Sequence, residues 1–453
     1  MRPGWIWLAS FAVYPIVGAP LLKHPVFRPF GLGARVVLAA GCGAVLVSLT
    51  MTTFALAGWQ WGPLPVLASI ALAVALRGLV RGLIPEGSDP SPAHDARGDS
   101  RREGRSGIWI AHAVTATSLL AALAATVAAR STSPDLLLFW GPKAQQFATV
   151  RTIDAAYLGA PNLEYLHTYY PPLVTNVFAL GAMIAGRFPW GAATLTFPLF
   201  LTATAVALFG TLRTARAPAA AALATALTTS ALALVGIHSS VAGNAEPFLL
   251  FFEITAIALL LTPAAGSGAV QLLAGCLLAG AASAKVEGLP FVLAVTVLFL
   301  LLERKRARPA GRSALFLIAP TLLSSGVWLA FGATRKIFYG YRGYGHVSEF
   351  HWDHAPAIFY AIGRALWQSG HALPFAIPLL VVALAGRPSR KALLPLGVAA
   401  GMAAFLLLTY LQSSSNPSLW ISWSAARVFS PIAALLALAA WCSWDRRTAS
   451  GPP

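Results

Sequence analysis

Acidic residues are scarce in this chain. It carries 15 Asp and Glu against 32 Lys and Arg, and the four types together make up only 10% of its 453 residues. Soluble domains run near a quarter charged, so an ordinary soluble globular protein is excluded. Cysteine is almost missing as well. Cys42, Cys276 and Cys442 stand singly in or beside apolar runs, with neither a disulfide framework nor a metal-ligand spacing. No G-x-G-x-x-G stretch and no G-x-x-x-x-G-K-[ST] stretch occurs, which removes both familiar nucleotide cradles. An activated donor then has to arrive by way of the membrane.

Apolar sequence is what the chain has in quantity. It is 57% hydrophobic with a mean hydropathy of +0.70, and apolar runs of about 20 residues recur along it, as in an all-α polytopic membrane protein. About thirteen spans are expected, near 4–22, 34–58, 63–84, 108–129, 191–210, 217–236, 246–262, 267–284, 287–303, 314–332, 371–386, 392–412 and 425–443. The first lacks a small-x-small cleavage site and reads as a retained span. Many runs are rich in Ala, Gly and Leu, which suits close helix packing in lipid.

The net charge of +17 could suggest nucleic acid, but the basic residues cluster in short links between apolar runs, so no nucleic-acid partner is expected. Such clusters mark the cytoplasmic side. Lys23, Arg28 and Arg35 form one; Arg97, Arg101, Arg102 and Arg105 another; Arg213 and Arg216 a third. Arg304, Lys305, Arg306, Arg308 and Arg312 follow, then Arg387, Arg390 and Lys391, then Arg446 and Arg447. All lie on one side if the N-terminus is outside, the C-terminus is cytoplasmic and the segment 171–186 is a helix at the outer membrane surface rather than a span. Two long outer loops result, 131–190 and 333–370, and the polar stretch 86–105 reads as disordered. The expected organisation is three spans in 1–86, a cytoplasmic loop in 87–107, a membrane core in 108–332, the second outer loop in 333–370, C-terminal spans in 371–445 and a tail in 446–453.

Charges at membrane depth are costly and mark polar cavities. Asp135, Glu246, Glu253, Glu287, Lys143, Arg151, Lys285 and Arg427 all fall inside or beside apolar runs. Asp135, in PDLLLFWGPKAQQF, could take a proton from a hydroxyl or hold a divalent cation; it also suits a helix cap. His167, Tyr169 and Tyr170, in LEYLHTYYPPL, suit either a sugar face or an interfacial aromatic belt. Glu246, in GNAEPFLLFFE, stands where a helix N-terminus favours an acid. Glu253 is seven residues deeper on roughly the same face, where a carboxylate has to be paired or protonated. Lys285, in KVEG, could bind a phosphate or pair with Glu287 or Glu246. Arg427, in WISWSAARVFSP behind Trp420 and Trp423, suits a phosphate or simple snorkelling. His346, His351, Asp353 and His354 could ligate zinc, although substrate recognition by this aromatic loop is the stronger expectation.

Five of these stretches, in order, resemble the polytopic glycosyltransferases of the GT-C class. They are DLLLFWGPKA, HTYYPPL, GNAEPFLLFF, KVEG and the pattern of Trp420, Arg427 and Pro431. Within that class the chain is similar to the group holding aminoarabinose lipid A transferases, protein O-mannosyltransferases and rhizobial lipopolysaccharide galacturonosyltransferases. The resemblance covers roughly residues 131–431. It implies a GT-C-like fold with extracytoplasmic juxtamembrane helices, set in the cell inner membrane. The implied activity is inverting sugar transfer from a polyprenyl-phosphate donor to an extracytoplasmic glycan, lipid or protein, with no cofactor beyond an optional divalent cation. Asp135 takes the catalytic or metal-associated position by this resemblance, and Glu246 stands with it as an acid of the cavity, a Glu where the motif commonly has Asp. Lys285, Glu287 and Arg427 take positions near the lipid phosphate, with Lys143, His167, Tyr169 and Tyr170 as further substrate contacts. Leu136, Leu137 and Leu138 depart from relatives that carry an aromatic residue there, so the acceptor is not implied. A transporter or flippase is the competing reading, although no two similar halves are visible.

Overall fold

The computed structural model describes residues 3–83, 105–129, 135–160, 162–163, 167–238, 243–304, 310–337, 350–368, 372–385, 388–412 and 417–449. Of the stretch expected to be disordered, residues 86–104 lie outside these, and Arg105 opens a helix; His346 and the side chain of Trp423 also lie outside. Twenty α-helices account for most of the described chain, and no strand is found among the described residues. The first four are α1 (Pro3–Ser10), α2 (Val13–Gly18), α3 (Gly31–Leu56) and α4 (Leu64–Leu83). Next come α5 (Arg105–Ala129), α6 (Gly141–Val150), α7 (Ala155–Leu158), α8 (Leu173–Ala185), α9 (Trp190–Ala193) and α10 (Thr196–Ala215). The central group is α11 (Pro218–His238), α12 (Glu246–Leu261), α13 (Gly268–Ala284), α14 (Gly288–Glu303) and α15 (Ala310–Arg335). The last five are α16 (Ala355–Gln368), α17 (Ala372–Leu384), α18 (Leu393–Leu411), α19 (Pro417–Val428) and α20 (Ser430–Ala449).

Eight helical stretches among the described residues are long and apolar enough to cross a membrane, or up to nine if the pair 352–368 and 373–384, bent by 98°, is one broken span. The thirteen expected runs all fall on helices. Those at 217–236, 267–284 and 287–303 fall on α11, α13 and α14, whose described apolar parts are shorter. The run at 246–262 falls on α12, whose 16 residues extend about 24 Å, less than the roughly 30 Å hydrocarbon layer. Every residue of α12 and of α13 is buried, so these two helices are surrounded by protein. A lipid-facing hydropathy rule overlooks that difference.

Helix packing here rests on small residues and interhelical polar contacts, as expected where lipid tails compete equally for apolar surface. A Cβ on Gly18 or Gly43 would collide with backbone carbonyl oxygens across the contact of α2 with α3. α8 spans only about 20 Å and its residues from Leu173 to Ala182 are buried. Tyr14 donates to the Val177 carbonyl at 3.2 Å, and Asn176 Nδ2 donates to Ser48 Oγ at 3.1 Å and Thr52 Oγ1 at 3.2 Å. These bonds tie α8 to α2 and α3, so it is enclosed by its neighbours. α8 also packs on α6 and α13, and α6 carries Lys143.

Candidate functional site: an ion network beside an aromatic wall

Five helix ends deliver the charged residues. Asp135 opens a π-helical turn, Asp135–Trp140, that runs straight into α6. Glu246 is the first residue of α12 with Pro247 behind it, and both suit a helix start. Lys285 caps the C-terminus of α13 and Glu287 precedes α14, so the tight KVEG turn joins two helices. That turn requires its glycine, because a Cβ on Gly288 would collide with the Ala281 carbonyl. Arg427 lies in the last turn of α19.

These ends converge. Lys285 Nζ lies 3.0 Å from Glu246 Oε1 and 3.1 Å from Glu287 Oε1. Arg427 Nη1 lies 3.3 Å from Asp135 Oδ2 and 3.8 Å from the same Glu246 Oε1. One carboxylate oxygen of Glu246 therefore bridges both cations. Exposure grades along the network, from 2% for the Glu246 side chain to 15% for Asp135 and 21% for Glu287 and Arg427. Several polar atoms stay buried without a partner: Glu246 Oε2, Glu287 Oε2 and Arg427 Nε. Buried polar atoms are normally satisfied, so a network with idle donors and idle acceptors is suited to a polar ligand or water.

Beside it stands an aromatic wall. The rings of Trp140 and Tyr170 stack at 5.7 Å, Tyr170 and His167 stack at 5.0 Å, and Phe139 meets His167 edge-on at 4.6 Å. His167 holds φ at 47°, a left-handed conformation that non-glycine residues seldom take. Its Nδ1 is paired with the Tyr169 hydroxyl at 3.1 Å, and Trp328 Nε1 donates to the Tyr169 carbonyl at 3.3 Å. Lys143 Nζ sits 4.7 Å from the centre of the Trp140 ring and donates to the His167 carbonyl at 3.4 Å.

The environment sets the protonation. Burial pushes the Asp135 carboxyl up, with Arg427 pulling the other way. Burial brings Lys143 down to about 7 against the attraction of Asp135. Burial, aided by the neighbouring Lys143, brings His167 down to about 4, leaving it neutral near pH 7. Lys143 is thus a titratable group and His167 a neutral ring.

All nine expected site residues are found in these two groups. One other expectation falls away: Arg151 caps the end of α6 with φ at 56° and makes none of the network's ion pairs. Glu253, expected to be paired or protonated, is fully buried in α12 with both carboxylate oxygens unsatisfied, which leaves the protonated state of the two. Trp140 and Trp328 were not singled out by sequence; the first sits in the DLLLFWGPKA motif, and the second gives no signal within an apolar helix. Tyr410, whose hydroxyl lies 2.7 Å from Ser424 Oγ and whose ring meets Trp420 at 4.9 Å, is hidden in the same way inside α18.

A divalent ion fits the network poorly, because Asp135, Glu246 and Glu287 each already face a cation within 4 Å. Among the described residues, a donor set that could coordinate a metal ion lies elsewhere. The ligand atoms of His351, Asp353 and His354 all fall within 4.8 Å of one another, on an exposed turn that His351 N–H ties to the Leu411 carbonyl at 2.9 Å.

Fold and composition together make the chain an all-α polytopic membrane protein. Comparison with known proteins finds no matching family model, and no significant match among curated proteins or solved structures.

Proposed function

We propose that this protein transfers a sugar from a polyprenyl-phosphate carrier to a hydroxyl of an acceptor outside the cell inner membrane. The observation that carries the reading is the contact of Arg427 with Asp135 across 292 positions of sequence, within one network that also holds Glu246 and Lys285. The stretches that carry the GT-C resemblance thus supply one connected site. A GT-C-like arrangement of about thirteen spans, with the network on the outer side and the N-terminus outside, completes the reading.

The chemistry balances with the residues at hand. Asp135 accepts the proton of the acceptor hydroxyl, and its raised pKa makes it a stronger base than an ordinary carboxylate. The acceptor oxygen bonds to the anomeric carbon as the carbon–oxygen bond to the lipid phosphate breaks. The phosphate leaves with the electron pair, and Lys285 with the idle Nε of Arg427 stabilises its charge. Glu246 holds the two cations together through its Oε1. A single displacement inverts the anomeric centre. The half-buried His167, Tyr169 and Tyr170 offer ring surface to the sugar, with the fully buried Trp140 stacked behind Tyr170.

The test is sugar transfer from a polyprenyl-phosphate donor in proteoliposomes. Asp135→Asn is expected to lower turnover by roughly 100-fold or more with donor affinity kept. Lys285→Ala and Arg427→Ala are expected to raise the donor KM. Wild-type turnover in Asp135→Asn would remove the reading. Transport is the second reading, favoured by Glu253, since unpaired acids deep among membrane helices are typical of proton-coupled carriers. Solute flux that falls in Glu253→Gln and not in Asp135→Asn would select it. Impermeant labelling of Ser106→Cys and Thr149→Cys tests the sidedness: only the second is expected to react from outside.

A further inference from the structure

A cavity with a charged rim lies apart from the ion network and shares no residue with it. It is a side-opening groove of about 370 Å³ between α3, α5, α10 and α11. Its walls are mostly apolar, among them Leu119, Val206 and Phe209, with His112 edge-on to Phe209 at 4.8 Å, and the hydroxyls of Thr115, Thr202 and Thr225 that line it are spent on their own helix carbonyls. A groove that offers no free hydroxyl suits a hydrocarbon chain. From Thr202 to Arg213 along α10, the groove runs about 16 Å.

One end differs from the rest. Arg213 is exposed there, and its Nη2 makes one hydrogen bond, a long 3.4 Å donation to the Pro29 carbonyl. Room for the guanidinium comes from Gly31, which holds φ at 74° and whose Cβ, if present, would stand 2.9 Å from Nη2. The first amides of α3 begin at the same place with no side-chain cap, adding partial positive charge. The middle of α5, at Thr115, and the N-terminal half of α11, at Thr225, line the same groove, and α5 is exposed over most of its length. A cation at the mouth and hydrocarbon along the floor match an amphiphile in both parts.

We propose that this groove binds one acyl chain of an anionic phospholipid, with the lipid phosphate against Arg213 and the start of α3. The site is independent of the sugar-transfer reading. It holds a resident lipid from the leaflet that Arg213 faces, and it fills the gap between α5 and α10.

The full chain, purified in a neutral maltoside detergent and examined by native mass spectrometry, tests this with dioleoyl phosphatidylglycerol, dioleoyl phosphatidylcholine and glycerol 3-phosphate as probes. Wild-type protein is expected to retain phosphatidylglycerol about fivefold better than phosphatidylcholine. Arg213→Ala, at an exposed position, is expected to abolish that preference, and Arg213→Lys to keep most of it. Ala116→Trp, also exposed and lining the groove, is expected to lower retention of both lipids. Equal retention of the two lipids by wild type, or an unchanged preference in Arg213→Ala, would overturn the proposal. So would glycerol 3-phosphate binding as tightly as phosphatidylglycerol, which would make the site one for anions alone.

Discussion

Lys143 and Lys285 are buried to nearly the same degree, at 3% and 5% exposure, in two adjoining regions of one site. Lys285 meets two carboxylates within 3.1 Å. Lys143 meets a ring face and a carbonyl oxygen. Burial depth alone therefore does not decide what a membrane-protein lysine does. Its partners decide whether it is a fixed charge or a group that titrates near neutrality. The ion network supplies permanent charge, and the aromatic wall supplies shape with an adjustable proton.

Removing the cation from the first region has the largest expected effect. Lys285→Ala leaves Glu287 without its cation and Glu246 with only the more distant Arg427 at 3.8 Å, at a cost of about 3–5 kcal/mol. Thermal unfolding in nanodiscs would report it, and a fall of melting temperature no larger than for a surface alanine would erase the contrast between the two lysines. Arg427→Ala comes next, at about 2 kcal/mol, because Arg427 is more exposed and its contacts are longer.

The aromatic region should respond in the opposite direction. The folded pKa of Lys143, about 7, lies below its ordinary 10.5. Between those values the unfolded chain holds a proton that the folded chain has released, so stability rises with pH across that window. Below about 7 the cost of burying the charge is present in full. Lys143→Met should therefore stabilise the protein at pH 6 by on the order of 1 kcal/mol, and the gain should shrink toward pH 10. Melting curves at the two pH values check this, and a destabilisation at pH 6 would give Lys143 a carboxylate partner after all. The smallest change is expected at the exposed turn, where Asp353→Ala should move stability by less than about 0.5 kcal/mol.

Much of this was legible in the sequence, for identifiable reasons. Charge inside an apolar run is conspicuous, so Asp135, Glu246, Lys285, Glu287 and Arg427 stood out one by one. Their helix-end positions followed from Pro247 and from the KVEG turn. The pairing was only partly readable. Lys285 was expected to take Glu246 or Glu287 and takes both, because Gly288 folds the turn tightly enough to bring Glu287 back. No spacing rule links positions 135 and 427, so that contact was invisible. Glu253 was expected to be paired or protonated, and the packed residues of α12 leave it no partner. Span counting was weakest around α12 and α13, where apolar sequence serves protein contact instead of lipid contact.

Asp135 and Arg427 act on each other within one network, and a double-mutant cycle measures this coupling, with Asp135→Asn, Arg427→Gln and the pair compared by unfolding in nanodiscs. A coupling between about 0.5 and 3 kcal/mol is the predicted result. Effects of the two single changes that simply add would contradict it.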